Sequence, residues 1–280
     1  MNMPNARKTP LLALRRLTGQ AAAAALFLMA MPSAAAHDDV LYPDGGEVFQ
    51  PGQLITIQWT VTIQHPLQGW DVLYSTTGTG GPWLPIALGL PPGDPTAGSA
   101  HSIDWVVPEG MTSTAAVRVS MLTTHFVYES ISDGPFTITD PVGARGCAGQ
   151  TPNSSGSAAT LYVVGSAVAA DNALTLNITD LPMNAVGYPV NSDTLDFTAT
   201  PGSSQGNLCL GGTIGRHVTQ LSDSGADGFV SIPLDLAALP RATGSTQAVA
   251  GQTWSFQYWT RDANPTSTSN FSDVVSVTLL

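Results

Sequence analysis

The chain has 280 residues and a net charge of −11 at pH 7, with 20 acidic and 9 basic residues, and only 10% of its residues are charged. A strongly acidic surface repels phosphate backbones and anionic lipid headgroups, so the composition argues against nucleic-acid binding and against binding to anionic membranes. Metal cations remain compatible partners.

The first 36 residues are ordered like a secretory signal peptide. Four basic residues come first, an apolar run covers 21–31, and three alanines fill 34–36. A signal peptidase accepts small residues at this spacing, so we predict cleavage after Ala36, although cleavage after Ala35 satisfies the same rule. The protein is then predicted to be secreted, periplasmic or held at the cell surface.

Removal of this segment makes the mature chain more acidic. The segment contains Arg7, Lys8, Arg15 and Arg16 and no acidic residue, so 9 − 4 = 5 basic residues remain against 20 acidic ones, a net charge near 5 − 20 = −15. No later apolar run reaches the roughly 18 residues that span a bilayer. We therefore expect no membrane span in the mature chain.

Residues 37–139 have the pattern of short strands separated by turns. Ile55, Ile57, Trp59 and Val61 alternate with polar residues and so fall on one face of a strand. Further strands are predicted at 71–75, 83–88, 102–106, 116–122 and 135–139. About seven strands in about 100 residues is the pattern of an immunoglobulin-like β-sandwich.

Short motifs in this first module occur in a familiar order. They are Pro43–Glu47, Gly52–Gln53, Ile57–Trp59, Val72–Ser75, Trp105–Pro108 and Ser132–Phe136. In this order they resemble the Kre/Knh-type immunoglobulin-like domain of secreted cell-surface proteins. The motifs mark strands and turns, so the resemblance implies a fold and an extracytoplasmic setting and no chemistry.

A stretch rich in glycine and proline, 140–157, lacks periodicity and is predicted to be a linker. The second module, 158–280, has strand candidates at 159–164, 173–178, 194–198, 214–221, 228–234, 253–260 and 274–279. Trp254, Phe256 and Tyr258 alternate with other residues, so we expect them in a core. The chain is thus predicted to be all-β, with two β-sandwich modules after the signal peptide.

Four segments of the second module also form a recognisable set. It is similar to an uncharacterised carboxy-terminal module of exported bacterial proteins, and the segments are Leu208–Gly212, Gly251–Gln257, Trp259–Asp262 and Ser269–Asp273. This resemblance implies no activity.

Of the two cysteines, Cys147 lies in the predicted linker, at the edge of the second module, and Cys209 lies inside the module. Export to an oxidising compartment favours a disulfide between them, and a thiolate copper ligand is the alternative.

His37 becomes the first residue of the mature chain if cleavage follows Ala36. A free α-amine and an imidazole then belong to one residue and can chelate a metal through the amine and Nδ1. Nitrogen ligands in a tetragonal arrangement suit Cu(II), so copper is the predicted cofactor. The other interpretation is that cleavage happens to fall before a histidine.

A copper site of this kind needs a second imidazole. Four of the five histidines lie in the first module, and His65 and His101 are the predicted partners, with His125 a weaker choice. Asp38 and Asp39 are expected to accept hydrogen bonds from metal-bound imidazoles. Each histidine on its own is also explained as a surface or turn residue.

An immunoglobulin-like sandwich with an amino-terminal histidine is similar to two groups, the periplasmic copper carriers of the copper-resistance type and the lytic polysaccharide monooxygenases. Only His37 matches either group residue by residue. The first module is small for a monooxygenase, so the resemblance favours metal binding, and the copper-dependent redox enzyme is the alternative.

A non-catalytic binding or surface-structure role without metal also stays open. Exposed aromatic side chains can supply large contact areas to a cell-surface polymer or protein, and the candidates are Trp70, Trp83 and Trp259. Their other interpretation is core packing.

Overall fold

The computed structural model describes residues 37–147, 150–264 and 266–280, and the predicted signal peptide lies outside these ranges. Apart from three single turns of 3-10 helix at Ala169–Asp171, Pro201–Ser203 and Val218–Gln220, the regular structure in them is all strand. The all-β prediction is confirmed. None of the helical turns in these ranges is long or apolar enough for a membrane crossing.

The first half forms two sheets. One has the order β1-β3-β6, and the other has the order β2-β9-β7-β4-β5 with β8 paired to β7. The strands are β1 (Asp38–Tyr42), β2 (Val48–Phe49), β3 (Leu54–Val61), β4 (Leu67–Ser75), β5 (Leu84–Leu90), β6 (Ala100–Val106), β7 (Thr112–Thr123), β8 (Val127–Ile131) and β9 (Phe136–Ile138).

Alternation along β3 produces the core of this half. Ile55, Ile57, Trp59 and Val61 are buried as the sequence predicts, and the residues between them are less buried. They pack against buried residues of the opposite sheet, including Trp70, Val72, Val117, Val119 and Phe136. Burial of apolar area at about 25 cal/mol per Å² stabilises this sandwich.

The second half has a large sheet, β10-β23-β21-β13-β16, in which β17 pairs with β13 and β22 with β21. A smaller sheet, β11-β12-β18, and two hairpins, β14-β15 and β19-β20, complete it. The strands are β10 (Ala144–Gly146), β11 (Thr160–Gly165), β12 (Leu174–Thr179), β13 (Val186–Ser192), β14 (Leu195–Thr198), β15 (Leu208–Leu210), β16 (Gly215–Arg216), β17 (Ser222–Asp223), β18 (Val230–Pro233), β19 (Leu239–Pro240), β20 (Ser245–Thr246), β21 (Thr253–Asp262), β22 (Thr268–Phe271) and β23 (Val274–Thr278).

The two faces of β21 have different surroundings. Trp254, Phe256 and Tyr258 face the core between the two sheets, as predicted. On the opposite face, Gln257 is buried beneath the β14-β15 hairpin and accepts a hydrogen bond from the Cys209 backbone at 2.9 Å. The hairpin therefore covers part of the outer face of the large sheet.

The segment predicted as a linker contributes to the second half. β10 lies within it and pairs with β23, and Arg145 on β10 forms ion pairs with Glu109 and Asp273. Only five residues separate β9 from β10, so the chain passes directly from one half to the other.

The halves meet through polar contacts to the backbone. The side-chain amide of Gln50 donates to the Gly165 carbonyl at 2.9 Å and accepts from the Gly165 N–H at 2.6 Å. Asn177 donates to the carbonyl of Gly52 at 2.7 Å. Gly52 itself lies against the side chain of Tyr162, leaving no space for a Cβ atom.

Cys147 and Cys209 form a disulfide, as predicted, with their Cα atoms 6.0 Å apart and the two residues 62 positions apart in sequence. The bond joins the chain just after β10 to β15. It thereby ties the covering hairpin to the edge of the large sheet.

We expect Gly52→Ala to destabilise the protein more than Gly46→Ala. Both glycines have positive φ, +83° and +85°, so an L side chain strains either position, at about 1–2 kcal/mol. Only Gly52 has a neighbour within reach of the new Cβ, so displacement of Tyr162 adds about 1–3 kcal/mol there. Urea unfolding measures both variants, and equal losses would contradict the close contact at Gly52.

Replacing both cysteines with alanine is expected to lower the free energy of unfolding by about 4 kcal/mol, because the disulfide closes a long loop in the unfolded chain. Dithiothreitol should destabilise the wild-type protein by a similar amount and leave the double variant unchanged. A wild-type unfolding curve that does not respond to reductant would contradict the expectation.

Candidate functional site

His37 is fixed by its backbone at the start of β1. Its carbonyl oxygen accepts hydrogen bonds from the N–H groups of Thr62 and Ile63, at 3.0 and 3.1 Å, just beyond the end of β3. The strand pairing continues this contact, with Asp38 opposite Val61 and Val40 opposite Trp59. The position of the His37 side chain is therefore set by the register of β1 on β3.

The loop after β3 brings His65 to His37. The Nδ1 atom of His37 and the Nε2 atom of His65 are 2.6 Å apart, although the residues are 28 positions apart in sequence. Both side chains are half-buried, so solvent reaches the pair.

The two imidazole rings meet edge to edge. Their planes differ by 18° and their centroids are 4.7 Å apart. Because stacked rings keep their atoms about 3.5 Å apart or more, a nitrogen separation of 2.6 Å places the rings nearly in one plane. The lone-pair directions of the two nitrogens then point toward each other, and one nitrogen must carry the hydrogen that the other accepts.

Tyr128 on β8 forms the floor of the pair. Its ring lies 3.9 Å from the His37 ring centroid at an interplanar angle of 9°, and 4.7 Å from the His65 centroid at 27°. Tyr128 is not among the residues predicted from the sequence, because β8 was not predicted. The signal available there was a run of β-formers, Val127, Tyr128 and Ile131, after the turn at His125.

His101 has a different environment. It lies on β6 opposite Trp59, its ring is 5.8 Å from the Trp59 ring and 5.0 Å from the Trp70 ring, and its Nε2 lies 3.0 Å from the carbonyl oxygen of Asp94. None of its contacts in the described residues is with His37 or His65. The structure thus brings together two of the three histidines that the sequence proposes as ligands.

Asp38 does not support the imidazoles as the sequence suggested. Its side chain is fully buried in the first half, and both carboxylate oxygens lack a hydrogen-bond partner. Burial, and secondarily the charges of Asp39 and Glu129, raise the pKa of Asp38 to about 7. The expectation that Asp38 accepts a hydrogen bond from a ligand histidine is wrong, because the side chain faces the core.

The side chains available to a metal at this place are the two imidazoles. Within the ranges that the structure describes, no cluster of three or more His, Cys, Asp or Glu side chains is arranged to hold a metal ion. The His37 α-amine, which is free only after cleavage at residue 36, is the further nitrogen that the position offers.

The three candidate contact aromatics differ in exposure. Trp70 is 1% exposed and belongs to the core, so its proposal as a surface contact is wrong. Trp83 is half-buried beneath the guanidinium of Arg118, which lies 4.8 Å from its ring centroid. Trp259 is half-exposed on the outer face of the large sheet, beside Tyr188.

No protein-family model matches the sequence, and no curated protein matches it. Among solved structures, the chain is similar to the fibronectin(III)-like modules of Clostridium thermocellum CbhA, at 14% identity over 86% of this chain and 93% of that chain, with a TM-score of 0.25. At this TM-score the match adds nothing to the fold, which rests on the strands and cores described above. The resemblance to Kre/Knh-type domains likewise rests on the motifs of the first half.

The buried carboxyl of Asp38 is expected to make metal-free protein less stable as pH rises from about 4 to 7. In the unfolded chain this group ionises near its ordinary pKa of about 3.9, while in the folded chain it stays protonated up to about pH 7. Between about pH 4 and 7, ionisation of Asp38 in the unfolded chain therefore lowers the free energy of unfolding, by up to about 4 kcal/mol at pH 7. Above pH 7 this contribution no longer changes with pH.

Asp38→Asn should remove this pH dependence. Asp39→Asn, at the exposed neighbour, should retain most of it, because burial of Asp38 raises the pKa more than the Asp39 charge does. Denaturant unfolding of both variants in a chelating buffer across this pH range measures the difference. The same pH dependence in the two variants would contradict the assignment.

Proposed function

We propose that this protein is an exported, non-catalytic binding protein that holds a copper ion between His37 and His65. The observation that supports it is the 2.6 Å approach of His37 Nδ1 to His65 Nε2. Both histidines are candidate ligands on the sequence alone, and they come from separate elements of the first half.

The donor atoms fit the proposed metal. Imidazole nitrogen is a preferred ligand of copper, and Cu(II) binds such sites more tightly than the other divalent first-row metals. Nδ1 is also the ring nitrogen of His37 that can share a chelate with the α-amine of the same residue. The 2.6 Å separation suits a shared hydrogen, and the two rings would move apart to admit a cation, because a bond from a metal to imidazole nitrogen is about 2 Å long.

The protein groups have distinct roles in this proposal. The β1-β3 register holds the His37 backbone, and the ring of Tyr128 orients both imidazoles from one side. The net charge near −15 attracts a cation toward the half-buried pair. Copper bound there would be carried or sequestered, and the two imidazoles would supply its nitrogen ligands.

The test is a Cu(II) titration of the mature protein followed by electron paramagnetic resonance, after an intact mass has established the amino terminus. We expect one tightly bound equivalent with nitrogen coupling. His37→Ala and His65→Ala should each weaken Cu(II) binding by more than about 100-fold. This loss exceeds the roughly 10–100-fold loss that is typical when a residue supporting a metal ligand is changed.

His125→Ala is the matched control, since it removes an exposed imidazole of the same half. A variant of the mature protein with one extra residue before His37 keeps both imidazoles but removes the free α-amine of His37. Its affinity for Cu(II) should therefore also fall. Unchanged affinity in His65→Ala, or an equal loss in His125→Ala, would overturn the proposal.

A further inference from the structure

A shallow pocket opens on the outer face of the large sheet in the second half, beside the β14-β15 hairpin that covers another part of that face. Register brings its residues together: Tyr188 pairs with Trp259, Trp259 pairs with Phe271, and Val190 pairs with Arg216. Paired residues on adjacent strands point to the same face. All five of these residues line the pocket, with Leu208 and Ile214 among its further walls.

The base of the pocket is aromatic. The Tyr188 and Trp259 rings have centroids 5.0 Å apart and planes inclined by 37°. Both side chains are half-exposed, whereas Trp254, Phe256 and Tyr258 on the opposite face of β21 are buried. Two adjoining rings accessible to solvent offer a platform for a flat ligand face.

Two arginines flank this platform. Arg216 lines the pocket, and the guanidinium of Arg261 lies 5.3 Å from the Trp259 ring centroid. The other three arginines of the mature chain, Arg118, Arg145 and Arg241, are paired with carboxylates. Arg216 and Arg261 have no carboxylate within ion-pair distance in the described ranges, although the chain holds 20 acidic residues. Their charges are therefore available to an anion.

Hydrogen-bonding groups lie at the same place. In the described residues, neither the indole N–H of Trp259 nor the hydroxyl of Tyr188 has a protein hydrogen-bond partner. Both groups are accessible to solvent, since neither is among the buried polar atoms that lack a partner. Exposed aromatic rings with a free donor on each are suited to a ligand that combines an apolar face with hydroxyl groups.

We propose that this pocket binds a short saccharide bearing a carboxylate, a uronic-acid sugar. The C–H face of the pyranose ring packs on Trp259 and Tyr188. A sugar hydroxyl accepts a hydrogen bond from the indole N–H, another exchanges a hydrogen bond with the phenol hydroxyl, and the carboxylate pairs with Arg216 or Arg261. Arginine matches a carboxylate through two parallel N–H groups. A ligand with one or a few carboxylates meets the local positive charge of the pocket, whereas a long dense polyanion would also meet the acidic surface around it.

The test is a titration with trigalacturonate and, in parallel, with the neutral galactose trisaccharide of the same linkage, which carries hydroxymethyl groups in place of the carboxylates. Binding is followed by the indole N–H signals in ¹H–¹⁵N spectra, with the Trp259 signal assigned from a Trp259→Phe variant. We expect trigalacturonate to shift that signal, and the neutral sugar to bind at least about tenfold more weakly.

Variants separate the contributions. Trp259→Ala should weaken trigalacturonate binding by at least about tenfold, as expected for loss of a central aromatic contact. Arg216→Gln and Arg261→Gln should bring the affinity toward that of the neutral sugar. Arg118→Gln is the matched control, because it removes the same charge from an arginine that also lies over a tryptophan, Trp83, in the other half.

The proposal is overturned by an unshifted Trp259 signal, by equal affinity for the charged and neutral sugars, or by equal losses in Arg118→Gln and Arg216→Gln. Equally tight binding of a triglutamate peptide would also overturn it, since the pocket would then recognise carboxylates without the sugar ring.

Discussion

The pairing of β1 with β3 is the constraint on which the first half depends. Side chains alternate along a strand, so a slip by one residue would turn Val40 out of the core and change the side of the sheet that His37 faces. The bonds from Thr62 and Ile63 to the His37 carbonyl extend this pairing to the first described residue. The register that packs the β-sandwich core therefore also positions the His37 imidazole against His65.

The sequence predicts elements whose pattern is local and misses those that depend on packing elsewhere. Alternation along β3 and β21 is visible in the residues and is found in the structure. β13 was missed because Gly187 and Pro189 are poor strand residues, yet it lies inside the large sheet between β21 and β16. The prediction of one strand over 214–221 was wrong beyond β16, since a 3-10 turn at Val218–Gln220 interrupts it.

The candidate metal site was predictable in part. Signal-peptide spacing pointed to His37, and the concentration of histidines in the first half pointed to His65 and His101. Spacing along the chain could not distinguish the latter two, because the choice depends on how the loop after β3 folds back and on the tryptophans that surround His101. Asp38 was misread for a similar reason, as only the register shows that its carboxyl faces inward.

The Gln50 contact at the junction has a consequence for separating the two halves. β11 is at the end of its sheet, and the Gln50 amide occupies both the N–H and the carbonyl of Gly165, as a neighbouring strand would. An uncovered edge strand is a template for pairing with other chains. The first half therefore shields part of an edge that the second half, expressed alone, would present for intermolecular β-sheet growth.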